Sequence, residues 1–296
     1  MGRKYALHAW FFIAPFLLGF VVFQAIPLLY SLVLSFMRYD GLSAPQFIGF
    51  KNYTQLFGDK FLLEAFLNTW KIWLPNIISQ IFLAFALAII LSNIRLKIRG
   101  QGLLRAIFYF PNIITAATIA LIFSGLLDWQ TGAINQLLFR DNNDAYISWF
   151  QNPTRARFIV SVLLTWMWFG NSLLILMAGF SSISPSFYEA AHLDGASSLQ
   201  SFTRITLPLS RPILLYITIT SFSGGMQMFD LTQVIAQSGQ APPGTITTLI
   251  MYLYQTAFLG ELRIGYAASM SYLLLLFLML FSILSFRIMG QKGVEK

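Results

Sequence analysis

The segment Ser184-Pro-Ser-Phe-Tyr-Glu-Ala-Ala-His-Leu-Asp-Gly-Ala196, continued by Ile205-Thr-Leu-Pro-Leu-Ser-Arg-Pro212, is a compact, patterned polar stretch between two long apolar ones. Ser184 can cap a helix start, and Pro185 suits a first turn, where no N–H partner is needed. Glu189 and the helix-favouring Ala190 and Ala191 follow. Gly195 permits a break, and small neighbours there let another backbone approach closely. A second short helix fits Ser197 to Arg204, after which Pro208 and Pro212 redirect the chain. On its own the segment fits either an amphipathic helix lying at a lipid surface or a surface helix shaped to be gripped by a partner.

Composition sets the medium. Of 296 residues, 57% are hydrophobic and 10% charged, against roughly 25% charged in a soluble domain. The 29 Phe outnumber the 19 Lys and Arg together, which suits lipid-facing and bundle-packing surfaces. With no cysteine, disulfides, thiolate metal sites and cysteine nucleophiles are excluded. No loop is long enough to bury a core of its own. Residues 1–296 therefore read as one all-α transmembrane domain.

Working outward from the polar segment (184–212), charge-free runs predict spans over about 158–180 before it and 212–233 after it, with a sixth at 264–286. Upstream, spans are predicted at about 8–37, 72–94 and 106–127. The first is too long for a cleaved signal and lacks a small-residue cleavage site, so it reads as retained. Pro15 and Pro27 are expected to bend it. Residues 246–258 are apolar but short, and read as an external interfacial helix. Six spans put both termini on one side. With the termini inside, Arg3, Lys4, Arg95, Lys97, Arg99, Arg105, Arg204, Arg211, Arg287, Lys292 and Lys296 face the cytoplasm against only Glu189, Asp194 and Glu295. The outer loops then balance, so the whole net charge of +8 is cytoplasmic, as the positive-inside rule requires. The positive charge thus reflects topology and not nucleic-acid binding.

Catalytic patterns are missing. There is no Gly-x4-Gly-Lys-Ser/Thr phosphate loop, since Gly290-Gln-Lys-Gly293 lacks the spacing. His8 and His192 are far apart and belong to no metal-ligand pattern. No Ser-His-acid arrangement is credible. The chain is expected to be no enzyme and to need no cofactor of its own. Polar groups within spans are costly in hydrocarbon and point to function. The fourth span carries Trp166, Trp168, Phe169 and Asn171, and the fifth carries Gln227, Met228 and Asp230. Aromatic faces with amide and carboxylate groups suit a sugar, whose flat CH faces stack while its hydroxyls find partners. Packing fits these residues as well: tryptophans against lipid, Gly224 and Gly225 at a helix crossing, and Asn171 and Gln227 in interhelical bonds.

The spacing Glu189-Ala190-Ala191, three residues, Gly195, nine residues, Ile205, one residue, Leu207-Pro208 resembles the EAA loop of bacterial ABC-importer permeases. Phe47-Ile-Gly-Phe-Lys-Asn-Tyr53, Asn68-Thr69-Trp70 and Gly102-Leu-Leu-Arg105 through Phe110-Pro111 extend the likeness to the MalF-like carbohydrate-uptake branch, over nearly the entire chain. The resemblance implies a six-span type I importer permease in the bacterial cell membrane. It implies as partners a second, homologous permease in a heterodimer, an ABC ATPase dimer that binds ATP and Mg, and an extracellular or periplasmic solute-binding protein. Glu189, Ala190, Ala191, Asp194 and Gly195 would form the coupling helix seated in the ATPase, and ATP-driven closure would flip the bundle outward. Sugar contacts would lie near Phe169, Asn171, Gln227 and Met228. Gln227-Met228 stands where the maltose permease has paired amides, and that protein's extra N-terminal helices and large external domain have no counterpart here. Two alternatives are a permease for another solute, such as glycerol phosphate or a polyamine, and a secondary transporter or channel. The first pair would call for pocket cations or several carboxylates. The second would call for ion-coordinating groups or inverted repeats, and neither is visible.

Overall fold

The computed structural model describes residues 2–92, 99–139, 145–260 and 262–290, with side chains from Trp10 to Ile288. Arg95, Lys97, Asn142, Asn143 and the tail with Lys292, Glu295 and Lys296 lie outside the described residues, as do the side chains of Arg3, Lys4 and His8. In chain order the helices are α1 Gly2–Phe20, α2 Ile26–Ser35, α3 Lys51–Leu56, α4 Lys60–Leu91, α5 Gln101–Ile113, α6 Ala116–Leu126, α7 Ala133–Phe139 and α8 Pro153–Ser181. They continue with α9 Pro185–Leu193, α10 Ser198–Ser201, α11 Leu207–Leu209, α12 Arg211–Met226, α13 Asp230–Gln237, α14 Leu249–Tyr254 and α15 Ile264–Gly290. Two dipeptide strands, β1 Met37–Arg38 and β2 Gln46–Phe47, pair antiparallel.

Among the described residues, four helical stretches are long and apolar enough to cross a membrane: Trp10–Ser35, Lys60–Leu91, Pro153–Ser181 and Ile264–Ile288. Two bent pairs bring the number to six when each counts as one span. Gln101–Ile113 and Ala116–Leu126 meet at 89°, and Ser198–Leu209 and Arg211–Gln237 meet at 60°. Between 106 and 127 the chain thus turns sharply within what the sequence reads as one span. Ile114 is extended, and Thr115 restarts the helix by accepting the N–H of Thr118 at 3.2 Å.

Two prolines, Pro27 and Pro208, are housed by widened turns. Residues Val21–Ala25 and Phe202–Thr206 are π-helical, with the Ile26 N–H reaching the Val21 carbonyl and the Leu207 N–H reaching that of Phe202. Pro27 and Pro208 follow at once. A proline ring collides with the carbonyl four residues earlier, here that of Phe23 or Arg204, and the wider turn moves that carbonyl aside. The second short helix therefore runs past Arg204 to Leu209, and the redirection falls at Ser210.

The chain forms two compact units, residues 1–60 with 252–277 and residues 61–251 with 278–296. In the first, the buried Asn52 amide donates to the carbonyls of Ser35 and Met37, both at 2.9 Å. It thereby satisfies the end of α2. Tyr53 shares a 2.7 Å bond with the Ser35 hydroxyl. Asp59 accepts from the hydroxyls of Tyr252 and Tyr266 at 2.7 and 2.6 Å, and Arg263 lies 4.1 Å over the Tyr266 ring. In the exposed loop after β1, Asp40 accepts the N–H and hydroxyl of Ser43 and the N–H of Leu42. The Ser43 backbone bond above all holds its carboxyl down to about 2.

In the second unit α8 is central, with 56% of its apolar window buried. Ala84 and Ala88 of α4, Leu173 and Leu176 of α8 and Ile217 of α12 form one core cluster. In lipid, where apolar burial supplies little drive, small residues and hydrogen bonds govern such packing. A Cβ on Gly170 would sit 2.0 Å from the Phe108 carbonyl oxygen, so α5 crosses α8 backbone to side-chainless backbone. Asn68 donates to the Gly244 carbonyl at 2.8 Å, and Thr69 accepts the Leu249 N–H at 3.0 Å. Together they pin residues 244–249 along α4.

Asn52→Ala removes two buried bonds and leaves two carbonyls unmatched, a cost on the order of 1–3 kcal/mol. The expected outcome is a lower unfolding temperature for the purified protein in detergent, and an unchanged temperature contradicts this role.

Candidate functional site

A cavity of about 140 Å³ opens among α4, α8 and α12. Helical spacing brings its polar groups together. Asn76 and Gln80 lie one turn apart on α4. Trp168, Asn171, Ser172 and Ile175 share a face of α8, and Ile217, Thr220, Ser221 and Gly224 share a face of α12, with Gly225 beside them. Leu164 and Met228 close the ring. None of these lining residues carries a charge. The cavity therefore offers neutral donors and acceptors, one indole and aliphatic walls.

The floor is tied by amide bonds. Gln80 donates to the Ser172 hydroxyl at 2.7 Å and Asn76 to that of Thr165 at 3.2 Å. Trp73 donates to the Ser221 carbonyl at 3.0 Å, and its ring occupies the space a side chain on Gly225 would need. A Cβ there would lie 1.9 Å from Trp73 Cδ1, whereas one on Gly224 meets nothing within 4 Å. Of the two neighbouring glycines, Gly225 allows the close approach and Gly224 faces open space.

At the cavity edge the fifth span is broken. Helix α12 ends at Met226 and α13 starts at Asp230, with Phe229 at φ −142° and ψ −62°. Non-helical backbone at membrane depth persists only where protein satisfies it. Here the Thr248 hydroxyl donates to the Met228 carbonyl at 2.8 Å, and that of Thr232 to the Phe229 carbonyl at 2.9 Å.

Of the seven pathway residues read from sequence, Trp168, Asn171 and Met228 line the cavity. Trp166 stands edge-on to Phe123 at 5.8 Å, and buried Phe169 packs against Phe108 at 5.9 Å. Gln227 is exposed, with its amide on the Ser223 hydroxyl at 3.0 Å. Asp230 is exposed in the first turn of α13, where a carboxylate complements the helix dipole. Asn76, Gln80, Ser172, Thr220 and Ser221 were not singled out by sequence. The signal was two amides four residues apart, just after Pro75, inside a charge-free run.

The segment around Glu189 forms a separate surface. Helix α9 closes with Gly195 at φ +72°. The N–H of Ala196 reaches the Ala191 carbonyl at 2.8 Å and that of Gly195 reaches His192 at 3.1 Å, the paired bonds of a Schellman ending. Ser197 and Gln200 form a capping box that starts α10. Ser184 stands at the start of α9, but its hydroxyl pairs with that of Ser186 at 2.8 Å and caps nothing. The hydroxyls of Tyr188 and Thr206 share a 2.9 Å bond that folds α9 back on the following helix. Glu189, Ala190, Asp194 and Gly195 are exposed and Ala191 is half-buried. Phe187, Leu193 and Leu199 are exposed beside them, Leu193 by 88%.

Residues 80–291 match the family described as binding-protein-dependent transport system inner membrane component, and the chain belongs to that family. The probable ABC transporter permease protein YesP of Bacillus subtilis (strain 168) is 34% identical over 286 residues, covering 96% of this chain and 91% of the relative. The lactose transport system permease protein LacF of Rhizobium radiobacter is 30% identical, covering 97% and 95%. The arabinooligosaccharides transport system permease protein AraP of Bacillus subtilis (strain 168) is 30% identical, covering 94% and 87%. The crystal structure of a bacterial ABC transporter that imports the acidic polysaccharide alginate contains a chain with TM-score 0.77 and 20% identity, covering 98% of this chain and 97% of that one. The fold is accordingly the all-α bundle of a type I ABC-importer permease, a multi-pass membrane protein of a transport system and not an enzyme.

Gly225→Ala forces Trp73 out of its place, a strain of about 1–3 kcal/mol. Gly224→Ala meets no neighbour and gains helix propensity of about 1 kcal/mol. Thermal unfolding in detergent is expected to fall for the first variant and to hold or rise for the second.

Proposed function

We propose that this chain is a translocation subunit of an ATP-driven importer for neutral sugars, working with a second, homologous permease, an ATPase dimer and a solute-binding protein. One observation carries the substrate class: the cavity beside the broken fifth span is lined by amides, hydroxyls and an indole, without a charged side chain. A phosphate ester would call for a cation there, and a polyamine for carboxylates. The relatives named for lactose and arabinooligosaccharides agree with a neutral, hydroxyl-rich solute. At about 140 Å³ the cavity is below the roughly 300 Å³ of common ligand pockets. It therefore grips part of an oligosaccharide, or widens as the helices move.

In this reading both termini and α9 face the cytoplasm. Glu189 presents its carboxylate to the ATPase, and the exposed Phe187 and Leu193 fill an apolar cleft there. Ala190, Ala191 and Gly195 keep the seat close. The Schellman ending and the capping box make the two short helices one stiff lever, so nucleotide-driven closure of the ATPases moves the bundle as a rigid body. ATP and Mg belong to the ATPase. Sugar passes from the binding protein to the outward-facing cavity, and hydrolysis resets the cycle.

Two experiments test this. Glu189→Lys is expected to cut uptake at least tenfold with the amount of protein in the membrane unchanged, and normal uptake contradicts the coupling role. Cells carrying the chain and its partners should take up labelled neutral di- or trisaccharides but not a uronate oligosaccharide. Uptake confined to charged solutes overturns the substrate class.

A further inference from the structure

We infer that Asn76 and Gln80 of α4 are specificity-determining residues that read sugar hydroxyls, as a pair set one helical turn apart. The inference rests on the reading of the cavity as the sugar site. Both side chains line the cavity, and both are only 5% exposed, so their amides have left bulk water. A carboxamide offers two N–H donors and an acceptor oxygen with two lone pairs. Gln80 commits one donor, to Ser172, and Asn76 commits one donor, to Thr165. Neither amide oxygen is among the atoms sealed away without a partner, and both side chains belong to the cavity wall, which leaves hydrogen-bonding capacity for a ligand there.

Burying two amides in an apolar span is costly, and helix packing alone does not call for both. The core cluster one to three turns further along α4 ties the same helices with Ala84, Ala88 and Leu91 against Leu173 and Leu176. At 76 and 80 the side chains instead present a ladder of two donor–acceptor groups, with rungs one turn apart. Two hydroxyls of one sugar ring match groups of this kind, each acting as donor and acceptor at once. Trp168, across the cavity on α8, supplies an apolar face for the CH side of the same ring. The bonds to Thr165 and Ser172 keep the amides oriented, and a ring hydroxyl can exchange with either. Ligand contact from α4 would then loosen its tie to α8 and couple occupancy to helix movement.

The test uses the complete importer in cells lacking the chromosomal gene. The probes are labelled lactose, arabinotriose and maltotriose, and deoxyfluoro analogues of whichever the wild type takes up fastest, all at concentrations saturating the binding protein. For Gln80→Met, maximal uptake of the parent sugar is expected to fall about three- to tenfold, the loss of one neutral hydrogen bond. The fall should be less than about twofold for the analogue lacking the hydroxyl that Gln80 reads. Asn76→Leu should behave likewise toward a neighbouring hydroxyl. Thr165→Val, which removes the bond that orients Asn76 and touches no bond of Gln80, should leave the Gln80-dependent discrimination intact. If Gln80→Met does not accumulate in the membrane, Gln80→Asn keeps the amide but retracts it, and should alter the same ratio. Equal losses for parent and every analogue overturn the inference and make the pair structural. A wild type that takes up none of the three neutral sugars overturns the cavity reading itself.

Discussion

A polypeptide inside a bilayer must satisfy its own backbone hydrogen bonds, because no water is there to do so. This chain breaks its helices repeatedly under that constraint, and each break has a named remedy. Thr115 caps the restart after Ile114. The Ser210 N–H reaches the Thr206 carbonyl where the helical stretch ending at Leu209 turns into α12. Thr248 covers the Met228 carbonyl where α12 gives way to α13. Thr248 in turn belongs to a segment that Asn68 and Thr69 fasten to α4. A chain of polar contacts thus runs from α4 through residues 244–249 to the interruption beside the cavity. The site exists because those side chains let the backbone leave the helix there.

The same economy of polar groups separates the two candidate surfaces. Around the cavity, polarity is neutral, and the buried amides of Asn76 and Gln80 are each partly committed to a neighbour. Around α9, polarity is exposed and interleaved with exposed apolar side chains, as at a surface that meets another protein. Stiffness at α9 is built from the left-handed Gly195, the capping box and the Tyr188–Thr206 bond. Near the cavity, by contrast, Gly224 has open space around it.

The sequence made much of this legible. Hydropathy placed the apolar runs, and Gly195 announced a helix ending that the structure realises with both expected backbone bonds. Within Phe47–Tyr53 and Asn68–Trp70 the structure finds Asn52, Asn68 and Thr69, buried side chains that hold carbonyls and an amide of neighbouring segments. Other features stayed hidden for physical reasons. The interruption at Met228 and Phe229 has no proline to mark it, and the carbonyl it frees at Met228 is covered by Thr248, twenty residues away. Pro208 reads as a terminator, yet a preceding wide turn absorbs it inside a helix. Asn76 and Gln80 lie in a run whose lack of charge drew attention to length and away from the two amides. Trp166 and Phe169 flank the cavity residues in sequence, but the 100° step of a helix turns them to other neighbours.

The most direct measurement is purification of the chain from its native membrane in mild detergent, followed by mass spectrometry and an ATP-hydrolysis assay with the solute-binding protein charged with a neutral sugar. The account predicts a second six-span permease and an ATPase in the purified complex, with hydrolysis rising when the sugar-loaded binding protein is added. An oligomer of this chain alone, with no ATPase and no sugar-dependent hydrolysis, would contradict it.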